Sequence, residues 1–304
     1  MVLEIVCIRL FFGHRFLNLI MKKILVPTDF SATANNAVKY AIHLAKKTNS
    51  DILFFHSVYS LVADEKLANS YAKEYAKIKL KAENKIRKEV ENIYKKLHLK
   101  CKSEKVSFLV KFGAYPIQDI FDIVSEKKID FIIIGTHGAT GLKKVLFGSN
   151  TSQVISKANV PVLAIPLHHS FHPIQEIIYS TDLENVKNEL KKLKPISKQL
   201  KVKITSVHFD YGWAKDKKEI KNIKILEGSM TNFHTQQVSL ETPLLTPLKN
   251  YMKKRTYAVL CMFHASKKGI PRLLLGSNTE RLSMGLKMPL LSIQKDISKL
   301  KNKK

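Results

Sequence analysis

Apolar positions in the first half of the chain switch between two periods. Short, nearly continuous apolar runs at 23–27, 51–58, 106–112, 131–134 and 160–165 fit strands covered on both faces, as parallel strands are. Between them the period lengthens. Ala34, Val38, Ala41, Ile42 and Ala45 recur at helical spacing over 32–48, with Ser31 in place to cap the helix. Tyr71, Tyr75, Ile78, Ala82, Ile86, Val90, Ile93 and Leu97 form one stripe over 62–98. The opposite face of that stripe is Lys and Glu at i, i+4 spacing, which belongs in water. Pro116 opens a helix over 117–126, and a further helix is predicted over 150–157.

The same order returns, worn, in the second half. Residues 176–183 align with 23–30 and keep Thr-Asp in place, Thr181-Asp182 against Thr28-Asp29. Residues 203–208 parallel 51–56, and 257–263 parallel the run that ends at Ile134. Gly276-Ser277-Asn278-Thr279 repeats Gly148-Ser149-Asn150-Thr151, and 288–293 repeats the last strand. The long helix is missing, since 210–221 is short and holds Gly212 and Trp213. The predicted fold class is α/β: two tandem open, mostly parallel five-stranded sheets with helices on both faces. The expected organisation is an apolar extension over 1–20, a first unit over 21–167, a linker over 168–175, a second unit over 176–298 and a basic tail over 299–304. Met21 suggests an alternative translation start, with 1–20 outside the folded protein.

The richest chemistry follows the strand at 131–134. Gly135, Gly138 and Gly148-Ser149 lead into the helix that begins at Asn150-Thr151. Glycines let backbone approach an anion, and a helix N-terminus offers unpaired N–H groups, so the stretch has the parts of a phosphate cradle. It is neither a Walker loop nor a dinucleotide fingerprint, because nine residues separate Gly138 from Gly148. Thr136 and His137 lie inside it, and Lys143 and Lys144 are either phosphate neighbours or solvated lysines. In the second half Phe263 and Ser266 replace Gly135 and Gly138, which predicts that this half has lost the cradle. Asp29 falls at the carboxyl end of the first strand, where ligands of open α/β sheets collect. It either contacts a ligand or caps the helix that follows.

Gly135-x-x-Gly138-x9-Gly148-Ser149 resembles the nucleotide-binding signature of the universal stress protein family. Residues 22–31 resemble that family's first strand and Asp turn, and 160–166 its last strand. The resemblance implies an adenine-nucleotide α-hydrolase-like fold. It implies ATP, or AMP or ADP, as ligand, with Mg reaching Asp29 through the nucleotide. Pro27 and Thr28 would then line the adenine side, and Ser57 and Val58 would contact the base. Gly135, Thr136, His137, Gly138, Gly148, Ser149, Asn150 and Thr151 would hold the phosphates. It further implies a pseudo-dimer of the two lobes through their last strands, a further homo-oligomer as an open option, and a cytoplasmic stress-response module gated by nucleotide, with slow ATP hydrolysis at most.

Charge adds a competing reading. Lys+Arg number 52 against 25 Asp+Glu, a net +27, which suits a nucleic acid or an anionic membrane. The excess is scattered lysine without clustered arginine or aromatic platforms, which argues against a dedicated nucleic-acid or membrane function. Cys7, Cys101 and Cys261 lack metal-ligand spacing and fit a reducing compartment. His168, His169 and His172 read as linker rather than metal site, and no nucleophile elbow or catalytic dyad is present. A scaffold without nucleotide, presenting only interaction surfaces, stays open beside the ATP-binding reading.

Overall fold

Parallel strands with both faces covered need crossover helices, and the chain supplies them in strict alternation. A computed structural model describes residues 21–59, 72–101, 103–136, 149–166, 169, 171–229, 231–264 and 288–295. In the first half these are β1 (Lys23–Pro27), α1 (Ala32–Thr48), β2 (Asp51–Tyr59), α2 (Ala72–Lys96), β3 (Val106–Gly113), α3 (Pro116–Glu126), β4 (Phe131–Gly135), α4 (Ser149–Lys157) and β5 (Val162–Ile165). The second half contributes β6 (Glu176–Ser180), α5 (Val186–Leu200), β7 (Lys203–Asp210), α6 (Lys217–Glu227), β8 (Asn232–Gln237), α7 (Leu245–Met252), β9 (Ala258–His264) and β10 (Leu290–Gln294).

The strands form one sheet in the order β3-β2-β1-β4-β5-β10-β9-β6-β7-β8. Each half is parallel, and the halves meet where β5 and β10 pair antiparallel, with Leu290 opposite Ala164 and Leu291 opposite Leu163. The fold is thus a tandem α/β pseudo-dimer whose two five-stranded halves share a seam. Strand alternation divides the core into two layers. Ile24, Val26, Leu163 and Leu291 join the face covered by α1, α2 and α5, whereas Leu25, Val162, Ala164 and Leu290 join the face covered by α3, α4 and α7. Both layers run across the seam. Met21 adds a polar tie: its N–H donates to Gln199 Oε1 (2.8 Å), and Gln199 Nε2 donates back to Met21 O (2.9 Å).

Local sequence explains the helix ends. Ser31 Oγ accepts from Ala34 N–H (3.1 Å) and starts α1, and Asn49 in the left-handed region (φ 58°) stops it. Pro116 occupies the first turn of α3. Asp216 and Glu219 close a capping box on α6.

One expectation needs correction. The long stripe is core only in its second half: Ile86, Val90 and Ile93 are buried, but Ile78 is 41% exposed. A helix of 25 residues is about 37 Å long, whereas a nine-residue strand spans about 30 Å, so the first turns of α2 project past the sheet. There Tyr75 lies edge-on to Phe112 at 4.9 Å. β8, Asn-Phe-His-Thr-Gln-Gln, completes the five strands of the second half and is the one to which the sequence pattern assigns no segment; it carries no apolar alternation because it is an exposed edge strand. Residues 1–20, the predicted helical stretch 62–71, and the tail 299–304 lie outside the described residues.

The seam yields a quantitative expectation. Leu163→Ala and Leu291→Ala should each cost about 2–5 kcal/mol in urea unfolding, as buried Leu truncations do. The double variant should show a coupling above about 0.5 kcal/mol, since the two face each other in one core. Strict additivity would mean that the halves do not share that core.

Candidate functional site

The strand order places β1 between β2 and β4, so successive connections leave in opposite directions from β1 and β4. Their carboxyl ends define a crevice of the kind that receives ligands in open α/β sheets. Pro27, Thr28 and Asp29 stand on one side of it. The turn they begin is held by its own side chains: Thr28 Oγ1 accepts from Phe30 N–H (3.1 Å), and Asp29 Oδ1 accepts from Ser31 N–H (3.0 Å). Phe30 takes a positive φ of 65°. Thr28 N–H donates to Phe55 O (2.8 Å), and His56 Nδ1 donates to Thr28 O (2.8 Å), which locks the turn to β2. Asp29 therefore shapes the turn, while Ser31 caps α1.

Opposite stand Gly135, Thr136 and the start of α4. Thr151, buried, donates its hydroxyl to Gly135 O (2.7 Å) and pins the N-terminus of α4 at the carboxyl end of β4. Thr136 is buried and donates its N–H to Ile165 O (2.9 Å). Gly135 has a packing reason of its own. A Cβ there would lie 2.8 Å from Thr33 Cγ2 and 2.9 Å from the Thr33 carbonyl carbon, so α1 could not sit where it does. Asn150 is exposed in the first turn of α4, beside Ser149. His137, Gly138, Gly148 and the lysines 143 and 144 lie outside the described residues.

Ser57 and Val58 point to opposite faces of β2. Ser57 donates to Asp119 Oδ2 (3.2 Å) on α3, and Val58 packs on the α2 side. Of the linker histidines, His169 and His172 are aromatic packing partners, and His168 lies outside the described residues. His172 stacks edge-on with Tyr257 (5.1 Å), and Phe171 covers Tyr40 and His43. Among the described residues no group of three or more His, Cys, Asp or Glu could hold a metal ion. Asp29 could reach a magnesium ion only as one carboxylate beside phosphates, which suits the habit of that ion.

The second half reproduces the turn atom for atom. Thr181 Oγ1 accepts from Leu183 N–H (3.0 Å), Asp182 Oδ1 from Glu184 N–H (3.0 Å), and Leu183 has a φ of 61°. Thr181 N–H donates to Val207 O (3.0 Å), and His208 Nδ1 donates to Thr181 O (3.1 Å). The neighbours then diverge. Sheet register puts Tyr179 where Val26 stands, Phe263 where Gly135 stands, and His264 where Thr136 stands. The Phe263 ring meets Tyr179 edge-on at 5.8 Å.

Tyr179 donates to Glu189 Oε2, and Glu189, 2% exposed, pairs with Lys295 (3.4 Å). Lys295 also binds Asp182 (2.5 Å) and Glu184 (3.5 Å). Burial raises the Glu189 carboxyl above its ordinary range against the pull of Lys295. Burial works against the Lys295 ammonium, yet Glu189, Asp182 and Glu184 together raise its pKa. Sequence reasoning missed this network. Its one signal was a Glu at 189 between the apolar positions Val186, Leu190 and Leu193.

The molecule is a tandem doubly wound α/β protein with a crevice at the switch point of its first half. The Universal stress protein family matches residues 21–166. Universal stress protein MJ0577 of Methanocaldococcus jannaschii is 32% identical over 168 residues, covering 51% of this chain and all of that one. Universal stress protein MJ0531 of the same organism is 31% identical over 151 residues, covering 47% of this chain and 81% of that one. The chain belongs to the universal stress protein family. A universal stress protein structure from Archaeoglobus fulgidus has the same fold over 91% of this chain and 99% of that chain, with a TM-score of 0.63 at 17% identity.

His264 gives the site a measurable pH signature. It is 2% exposed, Nδ1 lies 2.9 Å from Ser292 Oγ, and burial, with Lys192 adding, lowers its pKa to about 4 from an ordinary 6.5. The folded protein thus holds this ring neutral where the unfolded chain protonates it. Stability is complete above pH 6.5 and falls as pH drops toward 4, by up to about 3 kcal/mol from this group. His264→Thr, which copies the first half, should remove up to one proton from the slope of unfolding free energy against pH in that window. An unchanged slope would mean that His264 is already charged in the fold.

Proposed function

We propose that the first half binds an adenine nucleotide, Mg-ATP or its AMP and ADP forms, at the crevice between β1 and β4, and that occupancy gates a cytoplasmic stress-response binding module. One observation carries this reading. The Thr28-Asp29 turn and the pinned N-terminus of α4 flank the switch point, and the chain between Gly135 and Ser149 carries the glycine spacing of a phosphate cradle. Pro27 and Thr28 would border the base, and Val58 would add apolar contact from β2. Ser57, bonded to Asp119, would hold that strand end in place. Thr136, His137, Gly138, Gly148, Ser149, Asn150 and Thr151 would surround the phosphates. Thr136 and Thr151 would act from below, since both are buried.

In this reading the second half keeps the turn without the nucleotide. Phe263 and Ser266 stand at the glycine positions, so one nucleotide binds per chain. A scaffold that binds no nucleotide is the competing reading, and calorimetry separates the two. Titration with Mg-ATP should give a stoichiometry near one. A value near two would put a second nucleotide in the second half, and no heat would favour the scaffold. Among the described residues no helix is long and apolar enough to cross a membrane.

Asp29 can be tested apart from its turn. Asp29→Asn keeps an oxygen that accepts from Ser31 N–H while removing the charge. If the carboxylate serves Mg-ATP, affinity should fall at least about tenfold, the equivalent of about 1.5–3 kcal/mol, with melting unchanged. Asp29→Ala should lose about 1 kcal/mol of stability as well. Unchanged affinity in both variants would leave Asp29 as a turn former alone.

A further inference from the structure

The carboxyl ends of β6, β7 and β9 enclose a cavity of about 260 Å³. It occupies, in the second half, the place of the first half's crevice. Its lining includes the carboxylates of Asp182, Glu189, Asp210 and Glu219 against the ammonium groups of Lys215 and Lys295. Among the described residues of the wall, carboxylates thus outnumber ammonium groups four to two.

Some polar atoms of the wall are acceptors. Glu189 is buried, and its Oε1 has no hydrogen-bond partner, although Lys295 Nζ lies 3.4 Å away as an ion-pair partner. His208 Nδ1–H is committed to Thr181 O (3.1 Å). Asp210, 5% exposed, is held by Lys215 and by Gly212 N–H (2.9 Å). The remaining wall is aromatic and apolar: Phe209, Tyr211, Trp213 and Phe263. Ring faces and carboxylates together attract organic cations.

We propose that this cavity binds a small organic cation, a primary or secondary amine on an apolar body. Glu189 and Asp182 receive the ammonium, and the rings of Phe209, Tyr211 and Trp213 cover the body. The inference is independent of nucleotide binding in the first half. It assigns the second half a ligand of its own in place of the one its glycine replacements disfavour.

Trp213 is the sole tryptophan of the chain and lines the cavity, so its emission reports occupancy. Three probes with similar bodies suffice: phenethylamine, 2-phenylethanol and 3-phenylpropionate, each titrated into the full chain by fluorescence and by calorimetry. Phenethylamine should give a saturable change at least tenfold tighter than the alcohol, and the carboxylate should give none. Asp182→Asn, at a side chain 52% exposed, should weaken the amine several-fold, leave the alcohol unchanged and keep the melting temperature. Mg-ATP titrated into the amine-saturated protein should behave as it does without amine. Equal binding of all three probes, competition by the carboxylate, or no saturable signal from the amine by either method at millimolar concentration would overturn the proposal.

Discussion

The antiparallel contact of β5 with β10 is the constraint on which the molecule depends. Each half alone would end in an apolar strand with an open hydrogen-bonding edge, which is a site for aggregation in a soluble sheet. Pairing Val162–Ile165 with Leu290–Gln294 satisfies both edges at once. It also lets both core layers pass from one half to the other, so that α1 and α5 share one layer and α4 and α7 share the second. The outer strands differ in how they are protected. β3 is flanked by α2 and α3, and β8 is short and polar.

Within this frame the two halves show which features belong to the scaffold and which to a particular site. The Thr-Asp turn, its positive φ and its tie to a histidine of the next strand occur twice with nearly the same distances. They are a way of leaving a strand and entering a helix, whatever lies beyond. Gly135, in contrast, is specific to the first half, where α1 comes within contact of the β4 backbone. The second half fills that place with Phe263 and builds a buried charge network from Tyr179, Glu189 and Lys295.

Much of this was legible in the sequence because it is local. Apolar runs marked β1 to β5, Ser31 and Pro116 marked helix starts, and the paired Thr-Asp and Gly-Ser motifs marked the duplication. The illegible parts depend on distant partners. β8 is exposed and polar, so no alternation announces it. The exposed start of α2 carries the same stripe as its buried end, and only the size of the sheet separates them. That Gly135 makes room for Thr33, or that Glu189 meets a lysine 106 positions onward, follows from strand order and not from spacing. The crevice could be located from the strand ends and glycines, whereas the cavity of the second half could not.

The covalent link between the halves has a consequence for evolution and for regulation. When two copies of a single unit associate, one gene encodes both, any substitution appears on both sides, and dilution separates them. Here the chain between β5 and β6 joins the partners, so the contact across the seam is intramolecular and does not depend on protein concentration. Symmetry is no longer enforced. One copy can keep its residues while the other drifts, with the seam holding both in register. A signal received in one copy then has a fixed, ever-present listener.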